Sequence, residues 1–246
     1  TLDQNLVLGV VTEAGGATSH TAILAAQLGI PAAVQVKGIL GAIDDATSLA
    51  IDGGVGEVIV APSDSDVNEL EERSRRRAEA LAGSSGEGAT RDGYKVKLLA
   101  NIGTAEDAEK AAKVDLEGSG LFRSEFLFLD RDAAPSLEEQ TETYTKVLEA
   151  FGNRRVVVRT LDAGADKPLP FLTDAQEPNP ALGVRGYRTD WSTPGVLARQ
   201  LEAIAAAAAE SSADVRVMAP MIATVAEAAH FRELVHAAGL PVSGVM

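Results

Sequence analysis

The sequence predicts an α/β protein: a small β-rich unit over 1–62, a helical linker and hinge over 63–90, and the first half of a TIM-type (β/α)8 barrel over 91–246. Three observations carry this. Beyond Tyr94, apolar runs of strand length alternate with amphipathic runs of helix length, the pattern of a parallel sheet with covering helices. Before position 62, short strand-like runs surround one helix. Between the two lie a mostly polar helical stretch and the segment GSSGEGAT, which reads as a hinge by composition.

Taken in order, strands are expected at Leu6–Val11, Ala32–Val36, Ser48–Asp52 and Val55–Val60, with Asp52-Gly53-Gly54 as the hairpin signal. A helix follows the glycines at 15 and 16 and stops at Gly29 and Pro31. So small a unit makes a marginal core, and the domain is expected to continue upstream. From Ser65 to Ala82 the apolar stripe Val67, Leu70, Ala78, Leu81 marks a helix, and Glu69, Glu71 and Glu72 each stand four residues ahead of an arginine. Its charge run reads as a solvated face.

The alternation then gives strand–helix pairs: Val96–Ala100 with Thr104–Val114, Gly118–Phe122 with Ser136–Ala150, Arg155–Thr160 with Thr193–Glu210, and Val215–Ala219 with Thr224–Ala238. A fifth strand is expected at Val242–Met246. An eight-unit barrel needs about 250 residues, so the sequence as given is expected to stop in mid-barrel.

With 246 residues, 46% hydrophobic and 24% charged, the chain has material for one large core or two ordinary ones. It holds no run of about 18 apolar residues and no basic-then-apolar leader, so a cytoplasmic protein without membrane insertion is expected. No cysteine is present, and His20, His230 and His236 are too dispersed for a zinc site. A net charge of −14 argues against nonspecific binding to nucleic acid or anionic lipid. An anionic ligand would need a local basic cluster.

His20 sits between a glycine-rich turn and the first helix, whose start Thr18 or Ser19 can cap. The positive end of a helix dipole favours neutral imidazole, the nucleophilic form, and welcomes a phosphoryl group. On the residues alone, a cap-region histidine without chemistry remains the commoner reading. Arg123 and Arg159 close two predicted barrel strands, where chemistry gathers in such folds, and guanidinium forks suit phosphate. Rim arginines paired to carboxylates are the alternative, with Glu125 and Asp162 as partners. Arg185 either faces the same mouth or makes a structural ion pair. His230 and His236 read as surface residues. No P-loop is visible.

The string GGATSHTAILAAQLGIPAAV, together with GLFRSEFLFLDRDAAPSLEEQ, VVVRTLDAGADKPLP, NPALGVRGYR and MAPMI, resembles the enzymes that use phosphoenolpyruvate (PEP), and within them the Enzyme I group of the bacterial sugar phosphotransferase system. The resemblance covers nearly the whole chain. It implies a swivelling phosphohistidine domain whose His20 is the nucleophile, with Arg123 and Arg159 holding the PEP phosphate. It also implies transfer onward to the histidine-containing phosphocarrier protein and a homodimer when intact. The Mg2+ ligands and a cysteine that protonates the enolate come from later barrel strands in this family, beyond Met246, so the 246 residues alone are expected to be inactive. Ala17 and Ala26 stand where relatives often carry arginine. A pyruvate phosphate dikinase or PEP synthase, or a non-catalytic module of the same domains, are the competing readings.

Overall fold

A computed structural model of the chain describes residues 6–241 apart from 18, 28, 84, 130, 165–167 and 175. They form two compact units, Thr1–Ser85 and Gly86–Met246. The strand expected at 242–246 and the capping role of Thr18 fall outside the described residues.

In the first unit, strand β1 (Val10–Val11), helix α1 (His20–Gln27) and strand β2 (Ala32–Ala33) make a parallel crossover, with Val10 opposite Ala32. A short helix α2 (Ile39–Ala42) leads to the antiparallel hairpin of β3 (Leu49–Asp52) and β4 (Glu57–Val60). The hairpin loop is longer than the Asp-Gly-Gly signal foretells. Asp52 holds it, accepting at its carboxylate from the Gly54 N–H (2.9 Å) and at its carbonyl from the Gly56 N–H (2.8 Å).

Helix α3 (Asp64–Ala82) starts at Ser63, whose hydroxyl accepts from the Asp66 N–H while the Asp66 carboxylate accepts from the Ser63 N–H, a reciprocal cap. The helix is docked more firmly than a solvated bridge. Arg77 lies 3.3 Å from the Asp52 carboxylate, and Arg73 lies 3.9 Å from it and 2.5 Å from that of Glu57. Two of the arginines read as solvent-facing therefore stitch α3 to the hairpin, while Arg75 and Arg76 pair along the helix with Glu72. Sequence spacing finds i,i+4 partners but not a carboxylate on another element.

The second unit opens with a small hairpin, β5 (Gly88–Ala89) against β6 (Lys95–Val96). Its sheet has four parallel strands: β7 (Ala100–Ile102), β8 (Gly118–Arg123), β9 (Arg155–Arg159) and β10 (Asp214–Met218), each beside its neighbour in sequence. Helices α4 (Ala105–Ala112), α5 (Leu137–Phe151), α7 (Val196–Ala209) and α8 (Val225–Ala237) alternate with them, a short α6 (Thr189–Ser192) preceding α7. The first sheet strand differs from the expected Val96–Ala100. Asp92-Gly93 makes a turn that commits 95–96 to β5, and the sheet strand starts only at Ala100.

The core lies between sheet and helices: Phe122, Val156 and Val158 from the strands, Tyr144, Leu148 and Phe151 from α5, Leu201 and Ile204 from α7, and Phe231 from α8. Alternating strands and helices can bury both sheet faces only with connections this long, which is why the pattern reads as parallel. Helices α4, α5 and α8 each begin at a Thr or Ser whose side chain is paired reciprocally with an acidic residue three positions on: Thr104 with Asp107, Ser136 with Glu139, Thr224 with Glu227.

Candidate functional site

In the first unit, His20 is the opening residue of α1. Gly15, at φ 94°, turns the backbone into the helix, and the Ser19 N–H donates to the Gly16 carbonyl at 2.9 Å. Ser19 caps the helix as expected: its hydroxyl accepts from the Ala22 N–H at 3.3 Å. The far end closes in a Schellman motif, with the Ile30 N–H bonded to the Ala25 carbonyl and the Gly29 N–H to that of Ala26. Ala25 and Ile30 are buried there. His20 is thus fixed by backbone in a first helical turn whose free N–H groups and dipole favour an anion. Ala17 and Ala26 are exposed and carry no charge.

In the second unit, Arg123 and Arg159 lie opposite each other at the C-terminal ends of β8 and β9. A β-bulge makes this so. Ser119 pairs with Val156, and regular pairing from there would set Phe122 against Arg159; the extra residue between Ser119 and Phe122 instead brings Arg123 into that place. Adjacent strands lie about 4.8 Å apart, close enough for two guanidinium groups to share one anion.

Arg159 donates to the Glu125 carboxylate and lies 3.7 Å from that of Asp162, which in turn lies 3.2 Å from the Arg185 guanidinium. Arg185 also donates to the Pro180 carbonyl at 3.1 Å. Cations and carboxylates alternate: Glu125, Arg159, Asp162, Arg185. Arg159 and Arg185 are both ion-paired, as the alternative reading of each has it. The Arg123 side chain makes no hydrogen bond or ion pair with any described residue.

Burial raises the pKa of the Glu125 carboxyl above the usual glutamate range, against the pull of Arg159. Its Oε2 is buried without a hydrogen-bond partner, as is Nε of Arg159, among the described residues. Among the described residues, the strand ends thus hold a guanidinium without a partner, a second one with a spare donor, and a carboxylate disfavoured by burial. Such a site favours a bound anion. Mg2+ does not fit it, because Glu125 and Asp162 are engaged by arginines and no group of three His, Asp or Glu among the described residues could hold a metal.

Beneath the mouth lies a network that sequence reasoning missed. The Ser124 hydroxyl donates to the Arg159 carbonyl (2.7 Å), and the Gln200 amide donates to Ser124 Oγ (3.0 Å) and Tyr144 Oη (2.9 Å). Its one visible signal is a glutamine on the apolar face of α7, in step with Leu197, Leu201 and Ile204. His230 and His236 are exposed, as expected, and His230 stands edge-on to the Tyr187 ring.

Residues 78–244 match the family model described as PEP-utilising enzyme, PEP-binding domain, and residues 1–56 match that for the mobile domain of the same enzymes. The chain is 54% identical over 240 residues to a phosphoenolpyruvate-protein phosphotransferase of Streptomyces coelicolor, covering 97% of this chain and 43% of the relative. Proteins of that name from Haloferax volcanii and Staphylococcus carnosus are 43% and 40% identical over 94% and 92% of this chain, in each case 40% of the relative. The chain spans less than half the length of the curated relatives it matches. With its parallel sheet, its mouth of arginines and matches that run across both units, the chain belongs to the PEP-utilising enzyme family.

Proposed function

We propose that the protein containing this chain takes the phosphoryl group of PEP onto His20 and passes it to the histidine-containing phosphocarrier protein. The observation that carries this is the bulge-set pairing of Arg123 with Arg159 at the strand ends, one of them with no described partner. In this reading the four parallel strands are the first half of a (β/α)8 barrel and the first unit is part of a swivelling domain. A ring nitrogen of His20 attacks phosphorus as the bond to the enol oxygen breaks. The two guanidinium groups bind the non-bridging oxygens, where the charge of a loose transition state is spread. The helix start then favours the phosphohistidine formed. In this reading the intact protein is a cytoplasmic homodimer, and the Mg2+ ligands and the acid for the enolate come from outside these 246 residues.

Incubation of the full-length protein with PEP and Mg2+, followed by peptide mapping, is expected to find phosphate on His20. Label elsewhere, or undiminished labelling of His20→Ala, would overturn the assignment.

A further inference from the structure

The buried network beneath the mouth closes into a ring. Ser124 follows Arg123 directly, and its hydroxyl donates to the carbonyl of Arg159 at 2.7 Å. Two residues on, the Leu161 N–H donates to Gln200 Oε1 at 2.9 Å, and Gln200 Nε2 returns to Ser124 Oγ at 3.0 Å. The second amide hydrogen goes to Tyr144 Oη, whose pKa burial raises, so the phenol stays neutral. Ser124 and Gln200 are fully buried and Tyr144 is 1% exposed.

Packing alone does not call for these groups. The other buried large side chains on that face of α7 are Leu197, Leu201 and Ile204, and a leucine at 200 would fill similar space. A satisfied buried network instead selects one backbone arrangement over its near neighbours. Here it ties the side chain directly after one arginine to the main chain of the other, at the Arg159 carbonyl and at the amide two residues on. β8 also needs such a tie, because its bulge interrupts the regular ladder between Ser119 and Phe122.

We propose that Ser124 and Gln200 are positioning residues that hold Arg123 and Arg159 at the spacing a phosphoryl group requires. The inference rests on the reading of those arginines as the PEP phosphate site. Gln140 supplies the control: it too is a buried glutamine on a core helix, bonded to the Pro135 carbonyl, and it shares none of the ring's partners.

In the full-length protein, Gln200→Leu and Ser124→Ala are each expected to lower kcat/KM for PEP by about ten- to a hundredfold, because small misplacements of binding groups are costly. The comparison is made at a temperature where circular dichroism shows every variant folded. Gln140→Leu should lower Tm while keeping kcat/KM within about twofold of wild type. Should Gln200→Leu fail to fold, Ser124→Ala, which deletes one hydroxyl, carries the test. Folded variants with wild-type kcat/KM, or an equal loss in Gln140→Leu, would overturn the proposal. Arg123→Ala run alongside separates the two failures: if it too keeps wild-type kinetics, the phosphate-site reading falls; if it alone is impaired, only the positioning role falls.

Discussion

Arg123 and Arg159 share a register position, yet different surroundings give their removal different consequences. Each alanine variant of the full-length protein should lose PEP use by about 2–4 kcal/mol in transition-state stabilisation, with lysine a partial rescue because it lacks the planar fork. Their stabilities should diverge. Arg123 has no described partner, so Arg123→Ala should stay within about 0.5 kcal/mol of wild type. Arg159→Ala strands the buried Glu125 carboxylate. The Glu125 pKa is raised by burial, so its contribution to stability is greatest below the ordinary glutamate value and declines as pH rises through the folded value. Without Arg159 that decline steepens, and thermal melts should show a larger deficit for Arg159→Ala at pH 8 than at pH 5; equal deficits would refute the coupling. Both arginines were legible because a charge ending an apolar run marks a strand end. Ser124 and Gln200 were not, because their role depends on side chains 76 positions apart in sequence meeting across the core.

Secondary elements were most legible where capping chemistry announces them. Thr224 with Glu227 shows how much one such start can carry. The Glu227 carboxylate accepts from the N–H groups of Ala223 and Thr224 and from Arg188 Nε at 3.0 Å. The Ala223 amide first, then Arg188, hold its pKa well below the ordinary glutamate value of 4.5, at about 2. A depressed folded value means stabilisation that is present above 4.5 and lost as pH falls toward about 2. Glu227→Gln should therefore melt lower than wild type at pH 7, and the gap between the two Tm values should narrow as pH falls below 4.5 and close only below about pH 2. A constant gap would place the effect in packing. The element least legible was β7. The run from Lys95 to Ala100 has the composition of one strand, but the turn at Asp92-Gly93 takes its start for a hairpin, and the Leu98 N–H is held by the Glu117 carboxylate at 2.7 Å. Local pattern cannot rank two competing partners for the same backbone.

At the scale of the molecule, the division between compact units falls at 85/86, inside the segment 83–90 that reads as a hinge by composition. Helix α3 belongs to the first unit, and the Asp52 carboxylate ties it there through Arg73 and Arg77. The chain spans 43% of its Streptomyces relative, and none of its described residues supplies a metal site. In the reading proposed above, residues 1–246 alone are expected to release no pyruvate from PEP and to gain no phosphohistidine; turnover near that of the full-length protein would show that the essential groups are already here. The docking of α3 has a mechanical consequence. A helix riveted to the hairpin is a lever arm, and its 19 residues, at 1.5 Å each, make it about 28 Å long. Any pivot at the unit boundary then acts through that arm, so a turn of about 30° there would sweep the helix's far end through an arc of roughly 15 Å.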